Sequence, residues 1–185
     1  MALTKVDPVH GIDLADKEYF HVDLTTDQQP TDDTAAVVDF GGKGTVIYDT
    51  KSNFDSSNDA YLLGSSDGVY LISFNIGIAT DSITSESIIH TRGGIEVATD
   101  GSTYVALKGS GKQLRDSASD NGGSVVLSGS FIYKATNATT KIRINTHTDS
   151  VSANALICAT VSQLTQSTTA LTDARATWLT VVRIA

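Results

Sequence analysis

Residues 68–78 read GVYLISFNIGI, and their apolar side chains recur at every second position. Tyr70, Ile72, Phe74, Ile76 and Ile78 share one face, with Val69, Ser73, Asn75 and Gly77 on the other. Side chains alternate across a strand, so this beat predicts a strand with one face in a core. Residues 124–134 repeat it through Val125, Leu127, Phe131 and Tyr133. Residues 141–148 set Ile142 and Ile144 against Lys141, Arg143 and Asn145, and the terminal WLTVVRIA sets Trp178, Thr180, Val182 and Ile184 on one side. Shorter segments at 19–24, 35–40, 45–48, 87–91, 95–99, 103–107 and 155–161 complete the set. Turn residues punctuate them: Gly41 to Gly44, residues 49–60, 64–68, Gly93-Gly94, 108–123 and 135–140. Asp100-Gly101 between two such segments is a hairpin signal. About ten strands at this spacing predict an all-β, antiparallel sandwich or jelly roll. The Ser- and Thr-rich residues 162–176 read as a long loop. Residues 1–18 are polar, with Leu3, Val6, Val9, Ile12 and Leu14 as isolated apolar points, and read as an extended arm ahead of a domain at 19–185.

The chain has 185 residues, enough for one domain and its arm. Both prolines, Pro8 and Pro30, lie near the N-terminus, which suits a body of paired strands. The single cysteine, Cys158, excludes an intrachain disulfide and sits in ALICATV as a small buried residue would. The N-terminus has no apolar signal core, and no apolar run is long enough to span a bilayer. The expectation is synthesis in a cytoplasm without secretion or membrane insertion. A net charge of −8 argues against a nucleic-acid partner. Residues 1–100 hold 17 acidic and 5 basic side chains, whereas residues 101–185 hold 4 and 8. Strands distant in sequence pair in such folds, so the two sets should interleave.

Little in the chain points to catalysis. His10, His21, His90 and His147 fall in no metal-binding spacing, and no nucleophile elbow or dinucleotide fingerprint occurs. GSGK at 109–112 lacks the spacing and helix of a phosphate loop and reads as a β-turn. No enzyme activity, cofactor or metal is expected. The loop at 49–60 offers Asp49, Asn53, Asp55, Asn58 and Asp59, but without the order of a calcium loop, so a solvated turn is the expectation.

Tyr70, Phe74, Phe131, Tyr133 and Trp178 read as sandwich core. Two strands carry apolar residues on their second face as well: Val69 and Leu71 on one, Leu179 and Val181 on the other. An antiparallel strand with two apolar faces needs a partner, and these four residues are the expected subunit interface.

Several stretches carry a family likeness: TVIYDT at 45–50, YLLGSSDGVYLISFNIGI at 61–78 with its Gly68-x-Tyr70, SGSFIYKATNATTKIRI at 128–144, and the terminal strand. Over residues 19–185 the pattern resembles the C1q/TNF-like jelly-roll family. It departs from that family in lacking a collagen-like stalk, a secretion signal and the usual terminal Phe-x-Gly. The opening MALTKVD is similar to openings of bacteriophage appendage proteins. The resemblance implies a homotrimer with the terminal and Gly-x-Tyr strands near the threefold axis. It further implies a virion structural protein that decorates a phage capsid as a head knob or fibre, bound to the major capsid protein or another virion protein. The arm is the expected shell contact. One alternative is a tail-fibre or receptor-binding tip reading a host surface receptor through loops 49–60 and 108–123. Another is a soluble lectin-like binding module.

Overall fold

The computed structural model describes residues 6–7, 11–12, 18–31, 33–80, 87–116, 124–150, 155–160 and 174–185. Val6–Asp7 (β1) and Gly11–Ile12 (β2) pair with each other, Val6 opposite Ile12. Twelve further strands form two six-stranded sheets among the described residues. The first sheet contains Thr34–Val37 (β4), Phe54–Asp55 (β6), Ala60–Leu62 (β7), Ser87–Ala98 (β9), Val105–Asp116 (β10) and Lys141–Ser150 (β12), in the order β10–β9–β12–β7–β6. β4 pairs with β12 beyond the point where β7 stops. The second sheet contains Tyr19–Leu24 (β3), Gly44–Asp49 (β5), Val69–Thr80 (β8), Ser124–Lys134 (β11), Ala155–Ile157 (β13) and Trp178–Arg183 (β14), in the order β11–β8–β14–β3–β5. β13 continues the β14 side of β8.

The two-residue beat explains the sandwich. β8 turns Tyr70, Ile72, Phe74, Ile76 and Ile78 inward, all buried, as its spacing predicts. β12 buries Ile142 and Ile144 from the other sheet. Phe20 of β3 crosses the gap and stacks on Tyr61 of β7, with ring centroids 4.3 Å apart. Each large side chain buried here stabilises by about 1.5–3 kcal/mol. The acidic and basic halves interleave, as expected. Lys141 Nζ reaches Asp55 at 2.9 Å, and Arg143 Nε reaches Glu96 at 2.9 Å while its guanidinium lies over the Tyr104 ring.

Several segments differ from the sequence expectation. Residues 87–98 are one strand, not two broken at Gly93-Gly94, because β12 and β10 pair with β9 on both sides and hold the glycines extended. Gly109 to Lys112 are strand as well, opposite Gly94 to Thr91, so GSGK is not a turn. Phe40 opens a single helical turn, Phe40–Lys43, capped by the Asp39 carboxylate accepting from the Gly42 N–H at 2.7 Å. The expected loop at 49–60 contains β6 and leads into β7, and the two pair as a short hairpin. Strand 155–161 narrows to β13, and most of the 162–176 loop expectation lies outside the described residues. Asp100-Gly101 does turn the chain from β9 to β10: Gly101 has φ +82°, and the Asp100 carboxylate accepts from the N–H groups of Thr103 and Ser102.

β10 shifts register between Ala106 and Lys108, and the shift depends on Gly94. A Cβ built on Gly94 would lie 2.1 Å from the Lys108 carbonyl oxygen. Gly94→Ala forces β10 outward and is expected to cost about 1–3 kcal/mol. The check is a lowered urea midpoint with an unchanged slope. A midpoint equal to wild type would show that β10 has room to move.

Candidate functional site

The outer face of the second sheet is built by register. Leu71 on β8 stands opposite Ile132 on β11 and Val182 on β14, and Val182 stands opposite Tyr19 on β3. Paired residues in an antiparallel ladder point to one face, so these four form a continuous apolar row across four strands. At about 4.8 Å per strand the row spans roughly 14 Å. Ile132 is 65% exposed and Leu71 38% exposed. Tyr19 extends the row to Tyr48 of β5, with ring centroids 5.4 Å apart.

The next row is hydroxylated: Ser130, Ser73, Thr180 and His21 lie side by side. Ser73 Oγ and Ser130 Oγ share a 2.7 Å hydrogen bond, and His21 Nδ1 and Thr180 Oγ1 share one of 2.6 Å. Trp178 and Asp23 follow in the third row, with His21 Nε2 3.0 Å from Asp23 Oδ1. Asp23 is the only carboxylate in these rows, and His21 faces it. A patch of aromatic, aliphatic and hydroxyl groups with a single His21–Asp23 pair at its edge has the make-up of an interface core.

The sequence leads one to expect four residues at a subunit interface, and the structure places them on different faces. Leu71 lies on the outer face. Val69 is half-buried at the start of β8, its N–H donating to the Ala185 carbonyl at 2.8 Å. Leu179 and Val181 point the other way, into the core, at 1% and 0% exposure. The cause is register: Leu179 pairs with Phe74 and Val181 with Ile72, both on the buried face of β8. The outer face of β14 is therefore Trp178, Thr180 and Val182, and Trp178 is not sandwich core. Of the arm residues, Val6 and Ile12 lie in the β1–β2 pair, while Leu3, Val9 and Leu14 lie outside the described residues.

In the loop at 49–60 each carboxylate accepts hydrogen bonds that shape the chain. Asp49 takes the N–H groups of Asn53 and Phe54, Asp55 takes Ser57 N–H and Lys141, and Asp59 takes Gly41 N–H. Cys158 is buried, and burial pushes its thiol up to about 12.

One residue escaped the sequence reading altogether. Glu18 was expected at the end of the arm, yet it is only 6% exposed and closes one end of the sandwich. Tyr61 Oη donates to its Oε1 at 3.3 Å, Tyr70 Oη lies 3.1 Å from its Oε2, and Asn53 Nδ2 lies 3.5 Å from Oε1. Tyr70 also donates to the Leu63 carbonyl. Burial raises the Glu18 carboxyl above its ordinary value, against the opposing pull of the two phenols, Arg183 and Asn53.

No family model matches the chain, and no curated protein matches it. Solved structures do. Murine APRIL at pH 5.0 superposes with a TM-score of 0.51 at 9% identity, covering 91% of this chain and 99% of that one. Eiger TNF from S. frugiperda superposes with a TM-score of 0.50 at 11% identity, covering 91% and 93%. The fold is the C1q/TNF-like jelly roll. The globular domain of zebrafish complement 1qA also aligns, with a TM-score of 0.48 at 10% identity over 92% and 98% of the two chains. Within this jelly roll, the apolar row lies on the sheet that holds both the Gly68-x-Tyr70 strand and the terminal strand.

Proposed function

We propose that the chain is a self-associating structural protein, a homotrimer packed through the outer face of the β11–β8–β14–β3–β5 sheet. The observation that carries this is the row Ile132, Leu71, Val182 and Tyr19, apolar and lying on a β-sheet face that no other part of the described chain covers. A patch of this kind is stable in water when a second surface removes it from solvent. The C1q/TNF-like fold supports a threefold arrangement, because the row lies on the sheet that the resemblance places at the axis.

The trimer serves as a virion protein, decorating a phage capsid, with the N-terminal segment as its tether to the major capsid protein or another shell component. The likeness of MALTKVD to phage appendage openings supports this, as does a surface rich in Ser and Thr that suits polar, wet contacts. Because Glu18 belongs to the sandwich, the tether is residues 1–17 and not 1–18.

Light scattering on the full-length chain should give three times the mass of one chain. Removal of residues 1–17 should leave that mass unchanged and abolish co-sedimentation with capsids that lack the protein. A monomeric mass would sink the self-association reading. A trimer that binds host cells and ignores capsids would replace decoration with the receptor-binding role.

A further inference from the structure

Val46, Ile47 and Tyr48 are three consecutive apolar residues on β5, and all three are exposed. A strand with one face in a core alternates between buried and exposed side chains, so this run breaks the rule that β8 obeys. The pairing of β5 with β3 explains how. Tyr48 stands opposite His21 and Val46 opposite Val22, and the register shift between them leaves Ile47 as the extra residue of a bulge. Tyr48 therefore joins the outer face, where its ring meets that of Tyr19. Val46 stands opposite a fully buried residue and is still exposed, because β5 is the last strand of its sheet.

An apolar run on an edge strand is a liability that proteins blunt with charge or proline. Gly44 to Tyr48 contain neither, and the carboxylate of Asp49 is taken up by the N–H groups of Asn53 and Phe54.

The other edge of the same sheet has a matching make-up. β11 ends the sheet on that side, and residues 124–133 hold no charge and no proline. Its outer face presents Ile132 and Val126, both exposed, with exposed Leu71 of β8 directly opposite Ile132. Between the two apolar flanks lie Thr180 and His21, hydrogen-bonded to each other. At about 4.8 Å per strand, β11 and β5 stand roughly 19 Å apart.

Symmetry pairs the flanks. In a closed ring of three, each contact is heterologous: one patch of a copy meets a different patch of the next. When three copies turn the same sheet face to the axis, one flank of each lies against the opposite flank of its neighbour. We propose that the Val46–Ile47–Tyr48 edge of one copy packs against Ile132, Val126 and Leu71 of the next. This rests on the homotrimer reading and goes beyond it by naming the two unlike halves of the contact. None of the six residues is charged, so closing the contact buries no unpaired ion among them. β14, the middle strand of the five, then lies nearest the axis.

The test is cross-linking of the full-length chain in solution. Ile132→Cys and Ile47→Cys are made singly and together and treated with a short bismaleimide. Cys158 is buried, so the unmutated chain is the blank. The separation of the two edges keeps the reagent from joining both sites within one chain. The double variant should give two and three linked chains on a denaturing gel, and each single variant should stay one chain. Ile47→Asp should fall from three times the mass of one chain to one, with its circular dichroism unchanged, because Ile47 is exposed and has no partner in the β3–β5 register. A monomeric wild type would overturn the homotrimer reading and this contact with it. A trimeric wild type whose double variant does not link, whose Ile132→Cys variant links to itself, or whose Ile47→Asp variant stays trimeric would overturn this contact alone.

Discussion

Leu179→Asp is expected to unfold the chain, whereas Leu71→Asp is expected to leave it folded and dissociate it to a monomer. The two residues differ in exposure, 1% against 38%, although they lie on neighbouring strands of one sheet. Leu179 packs among Phe74, Val22 and the rest of the core. Replacing it removes about 2–5 kcal/mol of packing and adds the desolvation of a carboxylate. Together these approach the whole of a typical domain stability of about 5–15 kcal/mol. Leu71 loses little inside the chain, because its neighbours Ile132 and Val182 share a solvent-facing row. Three symmetry-related carboxylates would instead meet in the proposed interface, where like charges cost several kcal/mol. Circular dichroism melting and light scattering on both variants separate the effects. Ile132→Asp should behave like Leu71→Asp. Trimers from both outer-face variants would remove this sheet from the axis.

The contrast between these residues marks how far the sequence could be read. β8 was legible residue by residue, because its two faces differ sharply: five large apolar side chains against a face containing Ser73, Asn75 and Gly77. β14 was not, because Trp178, Val182 and Ile184 on one face match Leu179 and Val181 on the other. Only pairing with β8 decides which set is buried. Ile132 was within reach, since it shares parity with Val126 and not with Leu127 and Phe131, but the larger neighbours hid it. The glycines of β9 and β10 misled for a different reason. They break isolated strands, yet a ladder on both sides of β9 supplies the hydrogen bonds that override local preference. Glu18 had no local signal at all, because Tyr61 and Tyr70 lie 43 and 52 residues away.

Glu18→Ala should destabilise the jelly roll at every pH between 4 and 8, while Glu18→Gln should match wild type at pH 4 and exceed it at pH 8. The argument starts from protons. Burial pushes the Tyr61 and Tyr70 phenols above their ordinary 10, so both remain donors throughout this range. The Tyr70 hydroxyl has one proton and two oxygens in reach, the Leu63 carbonyl and Glu18 Oε2. A protonated Glu18 satisfies both contacts by donating to Tyr70 while accepting from Tyr61. Burial raises the folded carboxyl above its ordinary 4.5. The folded state therefore holds this proton more tightly than the unfolded chain does. The resulting stabilisation is complete below about 4.5 and is lost as pH rises through the raised value. Glutamine reproduces the protonated form, with Nε2 donating to Tyr70 and Oε1 accepting from Tyr61, so its stability keeps no such slope. Alanine leaves the buried Tyr61 hydroxyl without its acceptor, at a cost of about 1–3 kcal/mol, and adds a cavity. Urea unfolding of the three proteins across the range decides the matter. A wild-type-minus-Gln difference that does not change with pH would mean that folding leaves the Glu18 carboxyl unshifted, and one that rises with pH would mean that Tyr70 donates to an ionised Glu18 and not to Leu63.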